Sequence, residues 1–211
     1  VLGTVSANSL TLTTDGAITQ TGAVTVATST TVDADGDNDG TDSAVTLTNA
    51  SNNFSGAVSV TDGGAAVSIT DTDALDLGTM NAVSLTVNAG DVTQSGVLSV
   101  SGATSVTSSG SVTLANASND FDNDDSGDGV TVSGTSVSVT DVDNLVLNVT
   151  SSTGDSSVVA GGTLVLSAAS VAGNLSLTSD GAITQTGAMS VTGTTAIDAD
   201  GDNDGTDSAV T

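Results

Sequence analysis

Short triplets in which one polar residue separates two aliphatic ones recur along the whole chain, among them Leu10-Thr11-Leu12, Val24-Thr25-Val26, Val58-Ser59-Val60, Leu85-Thr86-Val87, Val130-Thr131-Val132 and Leu175-Ser176-Leu177. A period of two built from β-branched residues predicts half-buried strands, with Val and Leu facing inward and Ser or Thr outward. No 3.6-residue stripe persists, so no substantial helix is expected. The predicted strands are brief, and Gly, Asn, Asp and Ser turns separate them. Brief strands at even spacing inside a longer sequence period point to an all-β solenoid, whose turns stack and bury one continuous apolar column. Known repeat units suggest about 20–25 residues per coil, which gives about nine or ten coils. At roughly 4.8 Å per stacked strand, the rod is on the order of 45 Å long.

The longer period is explicit. The block from Asp15 to Ala23 returns letter for letter as Asp180 to Ala188, and Asp33 to Thr46 returns as Asp198 to Thr211, both at an offset of 180 − 15 = 165. The expectation is a single continuous solenoid segment over residues 1–211, a window on a longer tandem array whose second copy begins near residue 175. Smaller repeats lie inside. Thr19-Gln20-Thr21-Gly22 aligns with Thr93-Gln94-Ser95-Gly96 and Thr184-Gln185-Thr186-Gly187. The block Leu47 to Phe54 matches Leu114 to Phe121, and Ser68 to Leu75 matches Ser138 to Leu145. Between the Gln and Asn motifs the second copy is shorter, and the missing length falls where the first carries Asp33 to Asp42. That marks the acidic stretch as an insertion in one coil.

Two of these blocks, Gly16 to Val26 and Leu47 to Val60, resemble the repeats of giant filamentous-haemagglutinin-like exoproteins of Gram-negative bacteria. The resemblance implies a right-handed parallel β-helix, secreted or held at the outer cell surface, that serves adhesion or fibre formation.

Composition narrows the function. Lys, Arg and His are absent, and 25 acidic residues give a formal charge of −25. Without cationic side chains the chain cannot neutralise phosphates, which excludes nucleic acid and anionic membrane surfaces as partners. Metal ions are the obvious missing positive charge. There is no Cys for disulfides or thiolate sites, and no apolar run of the length that a membrane helix needs. Hydrophobic residues at 36% in strict patterning, with no Pro, argue against disorder.

Asp35-Gly36-Asp37-Asn38-Asp39-Gly40 fits the D-x-D-x-D-G start of a calcium loop, in which alternate carboxylates converge on one hard cation. Thr41 would offer its carbonyl, and Asp33 or Asp42 would stand in for the bidentate Glu, a place that Thr46 fills here. The same set recurs as Asp198, Asp200, Asp202, Asp204, Thr206 and Asp207. Asp120, Asp122, Asp124, Asp125 and Asp128 form a third cluster, with Asp125 where the pattern wants Gly. The acidic insertion loops are thus 33–42, 120–128 and 198–207, and calcium is the expected ion, held weakly at about 10⁻⁴ to 10⁻³ M as in extracellular modules. The competing reading is a solvated acidic loop.

Asp71, Asp73, Asp141 and Asp143 are read as caps on turn amides. Gln20, Gln94, Gln185, Asn49 and Asn116 are read as amides that bond neighbouring coils, and Phe54, Phe121, Met80 and Met189 as core. Catalysis is not expected, because the Lys, Arg and His that serve polysaccharide-cleaving β-helices are missing. The resulting expectation is a structural extracellular or cell-surface fibre or adhesin segment whose partners are copies of itself and calcium. The alternatives are a ligand-binding face, either glycan-binding or ice-binding with Thr11 and Thr13 or Thr28 and Thr30 as its outward ladder, and, behind it, a calcium-dependent polysaccharide-active enzyme.

Overall fold

A computed structural model describes residues 1–37, 40, 43–122, 127–201 and 208–211. The described residues contain no helix, and hence none long and apolar enough to cross a membrane. Every strand pairing among the described residues is parallel. Parallel neighbours so close in sequence, with no helical crossover, require the chain to coil and lie over itself.

One ladder follows the coil through most of its length. Ile18 pairs with Val45, Val45 with Val67, Val67 with Leu85, Leu85 with Thr104, Thr104 with Val130, Val130 with Leu147, Leu147 with Leu166 and Leu166 with Gln185. Those eight steps average (185 − 18)/8, about 21 residues per turn. They end two residues from Ile183, the copy of Ile18. The 165-residue sequence period therefore spans close to eight turns and returns its motifs to nearly the same face. With the Leu2–Gln20 and Ile183–Val210 bridges the stack has about ten turns. Plain turns are short, with Val137, Ser156 and Leu175 stacked 19 residues apart. Turns that carry an insertion are longer: Thr30 to Val58 is 58 − 30 = 28 and Thr104 to Val130 is 130 − 104 = 26.

Alternation along the strands is as the triplets predict. In the Ser156–Ala160 strand every second residue is buried, and the same holds in Val24–Val26, Val130–Val132 and Leu175–Leu177. The inward residues merge into one aliphatic column, with Phe54, Phe121 and Met80 fully enclosed. Met189 departs from the core assignment: it is 40% exposed, because it lies in the last turn of the stack. Thr30 also departs from its expected place. It is buried, since Ala27, Thr28 and Ser29 form an exposed corner after which the even-numbered residues face inward again. An outward Thr28–Thr30 ladder therefore does not exist.

Two of the Gln motifs tie turns together, whereas Gln185 Nε2 donates to Gly187 O in its own turn. Gln20 Nε2 donates to Gly22 O and to Asn52 Oδ1, both at 2.7 Å, and Gln94 repeats this with Gly96 O and Asn119 Oδ1. Asn49 caps its own turn at Ser51 N, whereas Asn116 caps Ser118 N and also donates from Nδ2 to Gly96 O at 3.4 Å, one turn earlier. The fully buried Asn52 and Asn119 carry the link between turns. The motif glycine is required by closeness: a Cβ on Gly96 would lie 2.2 Å from Thr79 N, and one on Gly187 would overlap Ser167 O. On the outside, Asp91, Asn144 and Asn174 each accept the backbone N–H and the hydroxyl of a Ser or Thr about one turn later.

Candidate metal centre

The expected calcium loops are partly described. Asp33 Oδ1 accepts from Asp35 N at 3.2 Å, and Asp198 Oδ1 accepts from Asp200 N at 3.2 Å, so the two copies start with the same Asx turn. Asp35 is buried and its Oδ2 accepts from Gly40 N at 3.0 Å, with Gly40 at φ 79°. Asp122 is likewise buried and accepts from Gly127 N, with Gly127 at φ 85°. Both closures need a residue that tolerates the left-handed region, which is why Gly stands there. This geometry pairs Asp122 with Asp35 and Gly127 with Gly40. The glycine closure of the third loop thus runs from Asp122 to Gly127, two residues after the Asp120 start of the sequence pattern. Asp37 and Asp128 are exposed. Asp39, Thr41, Asp42, Asp124, Asp125, Asp202, Asp204, Thr206 and Asp207 lie outside the described residues.

Among the described residues the convergence of three carboxylates lies elsewhere. Asp120, Asp141 and Asp143 each bring an oxygen to within 4.8 Å of the other two. Asp120 lies in the two-residue strand Asp120–Phe121, Asp141 ends the strand Val137–Asp141 one turn on, and Asp143 sits in the turn that leads to Leu145. Asp141 is 2% exposed; its Oδ1 accepts from Phe121 N at 3.3 Å, and its Oδ2 is buried with no hydrogen-bond partner. Burial pushes the Asp141 carboxyl up to about 7 and the Asp143 charge adds to this, against the pull of the Phe121, Val142 and Asp143 amides. Two unit charges about 4 Å apart repel by about 4 kcal/mol at an effective dielectric near 20. The chain has no Lys, Arg or His to offset that.

The matching corner in the preceding smaller repeat is built differently. Asp71 aligns with Asp141 and Asp73 with Asp143, but Asn53 stands where Asp120 does. Asn53 Nδ2 donates to Asp73 Oδ2 at 2.8 Å, and Asp71 accepts from Phe54 N at 2.8 Å and Asp73 N at 3.0 Å. At this corner Asp71 serves as the turn cap that the sequence suggests. Asp141 keeps the Phe121 cap but also joins a carboxylate cluster. Sequence reasoning grouped Asp120 with its neighbours in the insertion and missed the triad, because its members come from adjacent turns. The signal was the exchange of Asn53 for Asp120, while Asp71 and Asp73 are kept as Asp141 and Asp143 in the aligned blocks.

An ion with bonds of about 2.4 Å to oxygen reaches ligands up to about 4.8 Å apart, so the triad can hold a metal ion. A model of repeats of unknown function, DUF5649, matches residues 1–61, 64–126 and 153–209. The chain belongs to the DUF5649 family. Each matched DUF5649 segment holds one Gln motif and all or most of one acidic stretch. The Asn53 corner contributes its amide from the first segment, and Asp120 lies in the second. No curated protein and no solved structure matches the chain. This DUF5649 chain is thus a repetitive β-solenoid protein with an acidic exterior.

Proposed function

We propose that this chain is a rigid rod segment of an extracellular or cell-surface fibre or adhesin, which associates with copies of itself and is stiffened or cross-linked by calcium at its Asp-rich loops. The observation that carries this reading is the stack of about ten in-register turns around one aliphatic column. Such a stack leaves an open strand edge at each end, and another repeat or another copy of the chain can extend it. The calcium part is supported by Asp35 and Asp122, buried carboxylates that the same glycine closure holds at two loop entrances. An adhesive role agrees with the resemblance to filamentous-haemagglutinin-like repeats.

The reading assigns no catalytic residue and no turnover, and it has neither nucleic acid nor inserted membrane as partner. Electron microscopy of the purified chain, with and without a calcium chelator, tests it. Rods that lengthen end to end in calcium and loosen in chelator support the reading. Discrete particles unchanged by chelation count against it.

A further inference from the structure

We propose that Asp120, Asp141 and Asp143 form a divalent-cation site that clips two successive turns of the solenoid together, and that Asn53 takes the place of the ion at the sister corner. Asp120 belongs to one turn, and Asp141 and Asp143 to the next. Their convergence within 4.8 Å therefore joins two layers of the stack. An ionised carboxylate only accepts hydrogen bonds, so three of them meeting need a shared positive centre. The chain supplies none from a side chain.

Two independent observations point to a ligand. The first is Asp141: with Oδ1 committed to Phe121 N, the remaining Oδ2 is enclosed and unpartnered in a residue only 2% exposed. The second is the sister corner, where, of the three positions aligned with the triad, the exchanged one supplies a hydrogen: Asn53 Nδ2 reaches Asp73 Oδ2 across 20 residues, one turn of the coil. An amide N–H and a metal ion serve the same purpose there, each placing positive charge against the Asp73 or Asp143 carboxylate. Replacing that amide by a third carboxylate removes the donor and adds a ligand at once. All ligands are hard oxygens, as a hard divalent cation such as calcium requires. Water completes the coordination.

This site shares only Asp120 with the acidic stretch 120–128 and does not rest on the fibre reading. Its test uses the full 211-residue chain, stripped of metal and dialysed against calcium chloride, with bound calcium counted and unfolding followed by circular dichroism. Asp120→Asn and Asp141→Asn are each expected to bind one ion fewer than the parent chain. The double variant is also expected to lose only one, since both residues hold the same ion. Asp35→Asn with Asp37→Asn, which alters a loop alone, leaves the triad's ion in place. Asp120→Asn copies the residue that the fold already carries at position 53, so it keeps the test valid if Asp141→Asn does not fold. Equal ion counts in the parent and Asp120→Asn would overturn the proposal. Asp120→Asn that melts higher than the parent without calcium, with no change in ion count, would show a shared proton in place of a metal and would overturn it too. Failure of the chain to form rods leaves these counts untouched, so the two readings fail separately.

Discussion

Gln20 and Asn52 bond each other in both directions, Nε2 to Oδ1 at 2.7 Å and Nδ2 to Oε1 at 2.9 Å, across more than one turn of the coil. Gln94 and Asn119 repeat the exchange at 2.8 Å each way. Asn119 further donates to Leu114 O and Thr140 O and accepts from Leu98 N, all inside the stack. Asn119→Ala removes the side-chain partner of three backbone groups, and each buried group left unmet costs about 1–3 kcal/mol. A loss of about 3 kcal/mol or more in urea unfolding is expected, and a loss below about 1 kcal/mol would show that water takes over these bonds.

The motif glycines predict a steric contrast. A Cβ on Gly96 meets Thr79 N at 2.2 Å, and this is backbone that cannot swing aside, whereas a Cβ on Gly16 meets only Thr14 Oγ1 at 3.9 Å. Gly96→Ala is expected to cost about 1–3 kcal/mol, as overpacking does, and Gly16→Ala to stay within about 0.5 kcal/mol of the parent. Equal melting temperatures for the two variants would mean that the turns do not approach as described.

The period-two pattern made the fold class legible, because inward and outward residues alternate wherever a strand lies on a dry column. The same pattern could not place the corners. Thr28 and Thr30 share a parity yet part company, since a bend at residues 27–29 intervenes. The site was half legible. Asp120 stands out in the chain, but its partners Asp141 and Asp143 are 21 and 23 residues on and become neighbours only through stacking. The loop register escaped as well, because the Gly127 closure that pairs Asp122 with Asp35 is a backbone relationship, whereas the sequence offers several ways to align a run of Asp.

Acidity should stabilise this protein in chelator, contrary to usual acid denaturation. Burial raises Asp71 and takes Asp141 from an ordinary 3.8 to about 7, so the folded chain binds these protons more tightly than the unfolded chain does. Stability linked to Asp141 is fully present below 3.8 and is lost as pH rises through 7. The groups that face it, Asp120 and Asp143, carry the same sign, and no cationic side chain opposes them. Melting temperature in chelator is expected to rise from pH 8 to pH 5, and a fall over that interval would contradict these burials.

Stacking in register is tested most directly by cross-linking, since the chain has no cysteine of its own. Ser157 and Ser176 are exposed and lie directly over each other on successive turns, while Thr178 is two residues further along the same strand. Neighbouring strands lie about 4.8 Å apart, within disulfide reach, and two residues of offset carry the pair beyond it. Oxidation of Ser157→Cys with Ser176→Cys is predicted to close an intramolecular disulfide readily, and Ser157→Cys with Thr178→Cys to remain open. Equal closure of both pairs, or closure of the offset pair alone, would contradict the stacked parallel turns.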